Sequence, residues 1–221
     1  MLAVYLAVVA AIGYLLGGLN GAIVTSRLVY REDIRKRGSG NPGLTNFCRN
    51  YGRQAVFLLV LIDILKTALP VVLGGMLLEQ YAAFGTVTDR ILIGRLLGGF
   101  FAMLGHAYPL YHKFRGGKCV LAAGTLVFFV DLRITAIVFA IFLLAVLMSR
   151  YVSLGSILAS LSFPIAMLAL GYGALPFVIT ACCFLLILYR HRENLVRLAR
   201  GEESKFQMKR HTDDGNGGGQ A

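Results

Sequence analysis

The chain has 221 residues, 57% of them hydrophobic and only 15% charged, with a mean hydropathy of +0.70. A soluble domain of this size carries roughly half apolar and a quarter charged residues, so a water-soluble globule is excluded. A net charge of +11 with a pI near 9.8 would suit nucleic acid. In a chain of long apolar runs it reads instead as basic loops held on one membrane face, and no nucleic-acid partner is expected.

The elements predict an all-α integral membrane protein with seven transmembrane helices. The first covers 3–26; Met1 to Ser26 holds no charged residue. Without a basic n-region it reads as a retained helix, not a cleaved signal. The second covers 54–78 and the third 90–107. The fourth, one short helix near 118–130, falls short of the roughly 20 residues a span needs. It is tolerable only where protein or water covers its exposed backbone. The remaining spans cover 134–149, 154–170 and 175–190. Residues 1–210 read as a single transmembrane domain. Residues 211–221, HTDDGNGGGQA, read as a flexible tail.

The cations set the orientation. Seven lie in 27–53, three in 106–118 and seven from Arg190 to Arg210, with Arg150 on the same side. Only Arg90 and Arg133 lie opposite. The rich side is expected to be cytoplasmic, with the N-terminus outside and the C-terminus inside. The four cysteines, Cys48, Cys119, Cys182 and Cys183, have no metal-ligand spacing. No metal, disulfide framework or cofactor is expected.

Three polar motifs fall on that cytoplasmic side. The first is GSGNPGLTN, 38–46. Gly40 and Gly43 permit close backbone approach, and Ser39, Asn41, Thr45 and Asn46 add side-chain donors around an anion. Arg49 follows at the end of the loop. Turns use the same residue types, so the loop alone does not decide. The spacing is not that of a nucleotide-binding P-loop. The second motif is GHAYPLYHKFRGGKC, 105–119. Gly116, Gly117 and Lys118 there offer amides, a helix N-terminus and an ammonium, although Lys118 also suits a snorkelling role. His106 fits a base, a phosphate donor or a structural histidine; His112 gets no role. The third is HRENLVRLARGEE, 191–203, with His191, Asn194 and Arg197 on neighbouring helical positions. An amphipathic segment on anionic lipid would look similar.

Two further features accompany them. Asp63 and Lys66, three apart in the second span, either brace the bundle as an ion pair or orient a polar group at the site. Ser153 and Ser156, at the start of the sixth span, suit N-caps or hydroxyl donors. No nucleophile–base pair is present. That fits a reaction on a phosphate-bearing substrate without a covalent enzyme intermediate.

These motifs resemble the bacterial acyl-phosphate:glycerol-3-phosphate acyltransferase (PlsY) family over about residues 10–205. The family's GSGNPGATN, GHxxPxxxxFxGGK and HxxNxxRLxxGxE are matched in order, with Leu44 in place of alanine. The resemblance implies a multi-pass enzyme of the bacterial inner membrane with a cytoplasmic active site. Its substrates would be acyl phosphate and glycerol 3-phosphate, in contact with membrane lipid. An acyl chain would pass to the sn-1 hydroxyl, giving lysophosphatidate and phosphate in phospholipid synthesis. The acyl phosphate itself would assist deprotonation. By position, Ser39, Gly40, Asn41, Gly43, Thr45 and Asn46 would cradle the acyl phosphate. Arg49, Lys118, Ser156, His191, Asn194 and Arg197 would bind the phosphates or the glycerol. Lys118, Arg49 and His191 would stand closest to the chemistry, while Asp63, Lys66, His106, Gly116 and Gly117 would orient the site. The sequence departs at Thr67 and at Cys119, Leu121 and Ala122, where the family reads GVAT after the lysine; Cys119 would bring an alkylatable thiol to the phosphate site. A transporter for a phosphorylated anion and a non-enzymatic lipid-binding scaffold are the competing classes. A transporter would place polar residues near the midplane, with internal repeats.

Overall fold

The computed structural model describes residues 2–81 and 84–205; the predicted tail at 211–221 lies outside them. The described chain is helical throughout: α1 Leu2–Gly17, α2 Gly21–Tyr30, α3 Leu44–Tyr51, α4 Val56–Leu78, α5 Val87–Ala107, α6 Val120–Val130, α7 Leu132–Ser149, α8 Val152–Ala169, α9 Ala174–Arg190 and α10 Arg192–Ala199. Every apolar run predicted to span is helical at its expected place. Five are long and apolar enough to cross a membrane, and α9 with α10 forms a sixth if that pair, bent by 57°, counts as one span. The 11 residues of α6 rise about 16 Å, roughly half the hydrocarbon thickness.

The first predicted span is not one helix. It breaks at 18–20, where Asn20 caps α2 by accepting from the Ile23 amide at 3.0 Å. A capping side chain buried in an apolar run ends one helix and starts another.

The bundle is built inside out relative to a soluble protein. Leu143, Leu144, Leu147 and Met148 of α7 face outward, whereas Asp63, Lys66, Thr67, His106 and Thr180 are buried. Lipid tails provide no hydrophobic drive between helices, so close backbone contact must hold them. The α4–α5 seam supplies it. A Cβ on Gly94 would fall 2.1 Å from the Gly74 carbonyl oxygen, and one on Gly98 would fall 2.1 Å from that of Pro70. At the opposite end from the motifs, Asp131 caps α7 through the Arg133 amide at 2.6 Å and accepts from the Tyr172 hydroxyl. That tie joins the α6–α7 junction to the turn before α9.

Candidate active site

The loop between α2 and α3 is shaped by its own side chains. Gly38 and Gly40 take left-handed φ of 53° and 70°, which only glycine adopts freely. Buried Asn46 holds the bend from within. Its Oδ1 accepts from the Ser39 amide at 3.0 Å, and its Nδ2 donates to the Arg37 carbonyl at 3.0 Å. Asn46 Oδ1 and one of the two Nδ2 hydrogens are therefore committed to the loop. The hydroxyls of Ser39 and Thr45 are exposed and carry no hydrogen bond among the described residues. Arg49, exposed on α3, is likewise unpaired among them. Arg27 and Arg35, by contrast, share Asp33 as a partner, and Arg37 pairs with Glu32. Arg35 also donates to the His112 carbonyl at 3.0 Å, tying this loop to the second motif.

The Gly-Gly turn packs against the end of α5 with no spare room. The Gly117 amide donates to the His106 carbonyl at 3.0 Å, so it is not available to an anion. A Cβ on Gly116 would lie 1.9 Å from that carbonyl. One on Gly117 would lie 2.2 Å from His106 Nε2 and 3.0 Å from the Pro42 carbonyl. Pro42, from the first motif, is anchored by the Asn20 amide nitrogen at 3.1 Å. Arg190 closes the turn from α9, donating to the carbonyls of Gly116 at 2.7 Å and Gly117 at 3.0 Å. Its guanidinium sits 5.3 Å from the centre of the Tyr108 ring. Beneath, Asp63 pairs with Lys66 at 2.7 Å, and Lys66 reaches His106 Nδ1 at 2.6 Å. Asp63 also accepts from the Gly21 amide at 2.9 Å, which ties α4 to the start of α2.

Cys119 adopts φ 65°, left-handed, where the family pattern carries glycine. That geometry costs a non-glycine residue about 1–2 kcal/mol. Full burial and a 3.2 Å contact from the thiol to the Met103 carbonyl offset it. The expected alkylatable thiol is thus corrected: Cys119 is sealed inside.

Lys118 leads into the third motif. Its ammonium donates to Asn194 Oδ1 at 2.5 Å, and Asn194 Nδ2 donates to Glu203 Oε1 at 2.6 Å. Glu203 also accepts from Ser153 at 2.8 Å and from Arg197 at 2.7 Å. Burial raises the Glu203 carboxyl, but these hydrogen bonds outweigh it and hold it below its ordinary value. Burial, with Arg197 nearby, pushes the Lys118 ammonium down to about 8. Buried His191 directs Nδ1 to the Ile187 carbonyl at 2.8 Å; a carbonyl only accepts, so Nδ1 carries the proton and Nε2 is left with its lone pair.

Ser156 does not enter this network. Its hydroxyl bonds back to the Val152 carbonyl at 2.8 Å, and Tyr151 holds the N-cap position of α8 without a side-chain hydrogen bond, so neither serine is an N-cap. Ser153 is the serine that joins the polar cluster. Sequence reasoning also passed over Asn20, Arg190 and Glu203. Asn20 was visible as a lone amide after a Gly-Gly pair, and Glu203 as the end of the third motif. Arg190 looked like one juxtamembrane charge among many. The three motifs converge: Pro42 abuts Gly117, Arg35 reaches His112, and Lys118 holds Asn194. Lys118, Arg190 and Arg197 outnumber the two carboxylates that bear on Lys118, Glu203 and Glu193, which leaves the cluster positive by one charge.

A sequence profile described as glycerol-3-phosphate acyltransferase matches residues 7–201. A glycerol-3-phosphate acyltransferase of Carboxydothermus hydrogenoformans is 35% identical over 202 residues, covering 91% of this chain and 97% of that relative. One from Endomicrobium trichonymphae is 38% identical over 198 residues, covering 89% and 94%. Among solved structures, PlsY (YgiH), an integral membrane glycerol 3-phosphate acyltransferase, superimposes in its glycerol 3-phosphate form. The TM-score is 0.78 at 31% identity, covering 91% of this chain and 96% of that one. Its lysophosphatidic acid form gives a TM-score of 0.77 at 31% identity, covering 91% and 95%.

Proposed function

We propose the reaction of this chain from one premise: it belongs to the glycerol-3-phosphate acyltransferase family. It is an acyltransferase with several membrane-spanning helices, and glycerol 3-phosphate is its acceptor. The donor is acyl phosphate. The sn-1 hydroxyl oxygen attacks the acyl carbonyl carbon, the bond from that carbon to the phosphate oxygen breaks, and phosphate leaves with the electron pair. The hydroxyl proton passes to the phosphate group of the donor, so no enzyme-bound acyl group forms. The products are lysophosphatidate and phosphate. One domain, 1–210, carries the activity in the bacterial inner membrane, with the site on the cytoplasmic side.

The positive Lys118–Asn194–Arg197 cluster beside the Gly-Gly turn is the observation that carries this reading. Two anionic groups must meet there, and their repulsion has to be offset by fixed cations. Lys118, Arg49 and Arg197 serve that end, with Asn194 and His191 orienting the acceptor. Ser39, Gly40, Asn41, Gly43 and Thr45 hold the donor phosphate, and Asn46 holds the loop. Ser153 replaces Ser156 as the hydroxyl beside the acceptor. Acyl phosphate is already activated, so positioning and charge stabilisation supply most of the rate.

The test is purified protein in lipid nanodiscs with acyl phosphate and glycerol 3-phosphate. Equal amounts of lysophosphatidate and phosphate are expected. Turnover only with a thioester donor would overturn the donor assignment. Uptake of glycerol 3-phosphate into vesicles without product would replace the enzyme with a transporter.

A pH limb follows from Lys118. Its pKa lies below that of an ordinary lysine, so the cation is present below about 8 and is lost as pH rises through that value. Anion binding needs the cation, so kcat/KM should fall above about pH 8, approaching tenfold per unit. In Lys118→Arg the residual activity should lose that alkaline limb. An unchanged limb in the arginine variant would remove Lys118 as its source.

A further inference from the structure

The end of α9 and the start of α10 grip the same short turn at two points. Arg190 is the last residue of α9, Asn194 lies on α10, and the two helices meet at His191 with a bend of 57°. Ahead of the bend, Arg190 donates through Nη2 to the Gly116 carbonyl at 2.7 Å and through Nε to the Gly117 carbonyl at 3.0 Å. Beyond it, Asn194 Oδ1 accepts from the Lys118 ammonium at 2.5 Å. One bent helix pair thus holds both the backbone of the turn and the side chain it carries.

The first grip satisfies groups that nothing else reaches. Gly116 and Gly117 are buried, and among the described residues no backbone amide donates to either carbonyl. A buried acceptor without a donor is costly, so the turn keeps its course only while a donor faces it. A planar guanidinium presents two donors in a fixed fork and meets both oxygens at once; an ammonium is a point donor. The fork is itself held. It sits 5.3 Å from the centre of the Tyr108 ring, and the Tyr108 carbonyl accepts from the Tyr14 hydroxyl of α1 at 2.6 Å. Arg190 pairs with no carboxylate among the described residues, so the turn is its partner.

We infer that Arg190 is a positioning residue for the acyl transfer: its fork sets the course of Gly116 and Gly117 and so delivers Lys118 to Asn194. This rests on the reaction proposed above and adds to it a residue outside the three motifs. Arg190 acts through Lys118 and needs no contact with substrate. Removing it should therefore cost little more once Lys118 is gone.

A double-mutant cycle on the full-length protein in nanodiscs tests that dependence. Arg190→Met is expected to lower kcat/KM by about 100-fold, the loss that a misplacement of about 1 Å brings. Arg190→Lys keeps the charge but not the fork, and should still lose about tenfold. The double variant Arg190→Met/Lys118→Met should lie within about threefold of Lys118→Met alone. Glycerol 3-phosphate affinity by calorimetry should follow the same cycle. Hydrogen exchange gives a readout that needs no substrate: the Gly117 amide should exchange at least about tenfold faster in Arg190→Met, with the amides of α4 and α5 unchanged. If Arg190→Met does not fold, Arg190→Lys carries the cycle and the exchange measurement.

Losses that multiply in the double variant would overturn the inference, because Arg190 would then act independently of Lys118. So would wild-type kcat/KM in Arg190→Lys, which would assign the effect to charge alone, or an unaltered Gly117 amide in the folded variant. A wild type that binds glycerol 3-phosphate without acyl transfer would overturn the reaction, and the binding cycle with the exchange rates would still decide the role of Arg190.

Discussion

Lys118→Met is expected to lower kcat/KM by about 10²- to 10³-fold, with the protein still folded in the membrane. The loss comes from one charge in a place where charge counts. Lys118 is half-buried, and water screens it less against an arriving phosphate than it would an exposed lysine. Its ammonium is aimed by Asn194 at 2.5 Å, and Asn194 is in turn held by Glu203 at 2.6 Å. The aim is set before substrate arrives, so no reorganisation is needed at the moment of reaction. The fold should survive because Asn194 keeps its bond to Glu203 and methionine fills much of the lysine's volume. Glu203 also keeps Arg197 and Ser153 as partners. Thermal unfolding in nanodiscs and glycerol 3-phosphate affinity by calorimetry separate the two effects. Unchanged melting with weakened binding and slow turnover is the expected pattern, and near-wild-type turnover would remove Lys118 from the chemistry.

The helices were legible because lipid imposes a crude rule, a long apolar run for each span, and the sequence obeys it at five of the seven predicted positions, with α9 reaching that length only together with α10. The short α6 was legible by the same counting. What counting could not see is which polar atoms find each other. Asn20 breaks the first run because its side chain caps α2 and anchors Pro42, two contacts that need the folded loop to exist. Arg190 sits among basic residues that look alike in a row of letters. Only the fold brings the end of α9 beside the Gly-Gly turn, where its fork meets the Gly116 and Gly117 carbonyls. Ser153 and Ser156 are three apart, so helical phase placed both at the site. The contacts divide them: Ser153 donates to Glu203, whereas Ser156 donates to the Val152 carbonyl on the preceding turn. Asn46 shows the reverse: a donor placed correctly in the motif spends both ends on the loop's own backbone. Residue types grouped the motifs, and hydrogen-bond allocation, which a row of letters does not carry, decided which side chains meet.

The second large effect belongs to a side chain that is not there. Gly116→Ala is expected to lower kcat/KM by at least about 10²-fold. The added methyl would stand 1.9 Å from the His106 carbonyl oxygen, 2.6 Å from Pro109 Cδ and 2.8 Å from the Ala107 carbonyl oxygen. Two of these neighbours are backbone and the third is a proline ring, so none can swing aside as a flexible side chain would. The turn itself must move, and three things ride on it. Arg190 loses its aligned carbonyls, the Gly117 amide loses the His106 carbonyl, and Lys118 two residues on leaves its place beside Asn194. A shift of about 1 Å in a positioned group is enough for a hundredfold loss. Overpacking of this kind also costs about 1–3 kcal/mol of stability, so lower melting should accompany lower activity. Gly124→Ala is the matched control. It lies in α6, and its new methyl would meet only Phe139, at 3.5 Å, an ordinary contact. Alanine there should leave turnover unchanged and slightly favour the helix. Equal activity in the two variants would show that the Gly-Gly turn gives way cheaply, and that its tight packing does not hold Lys118 in place.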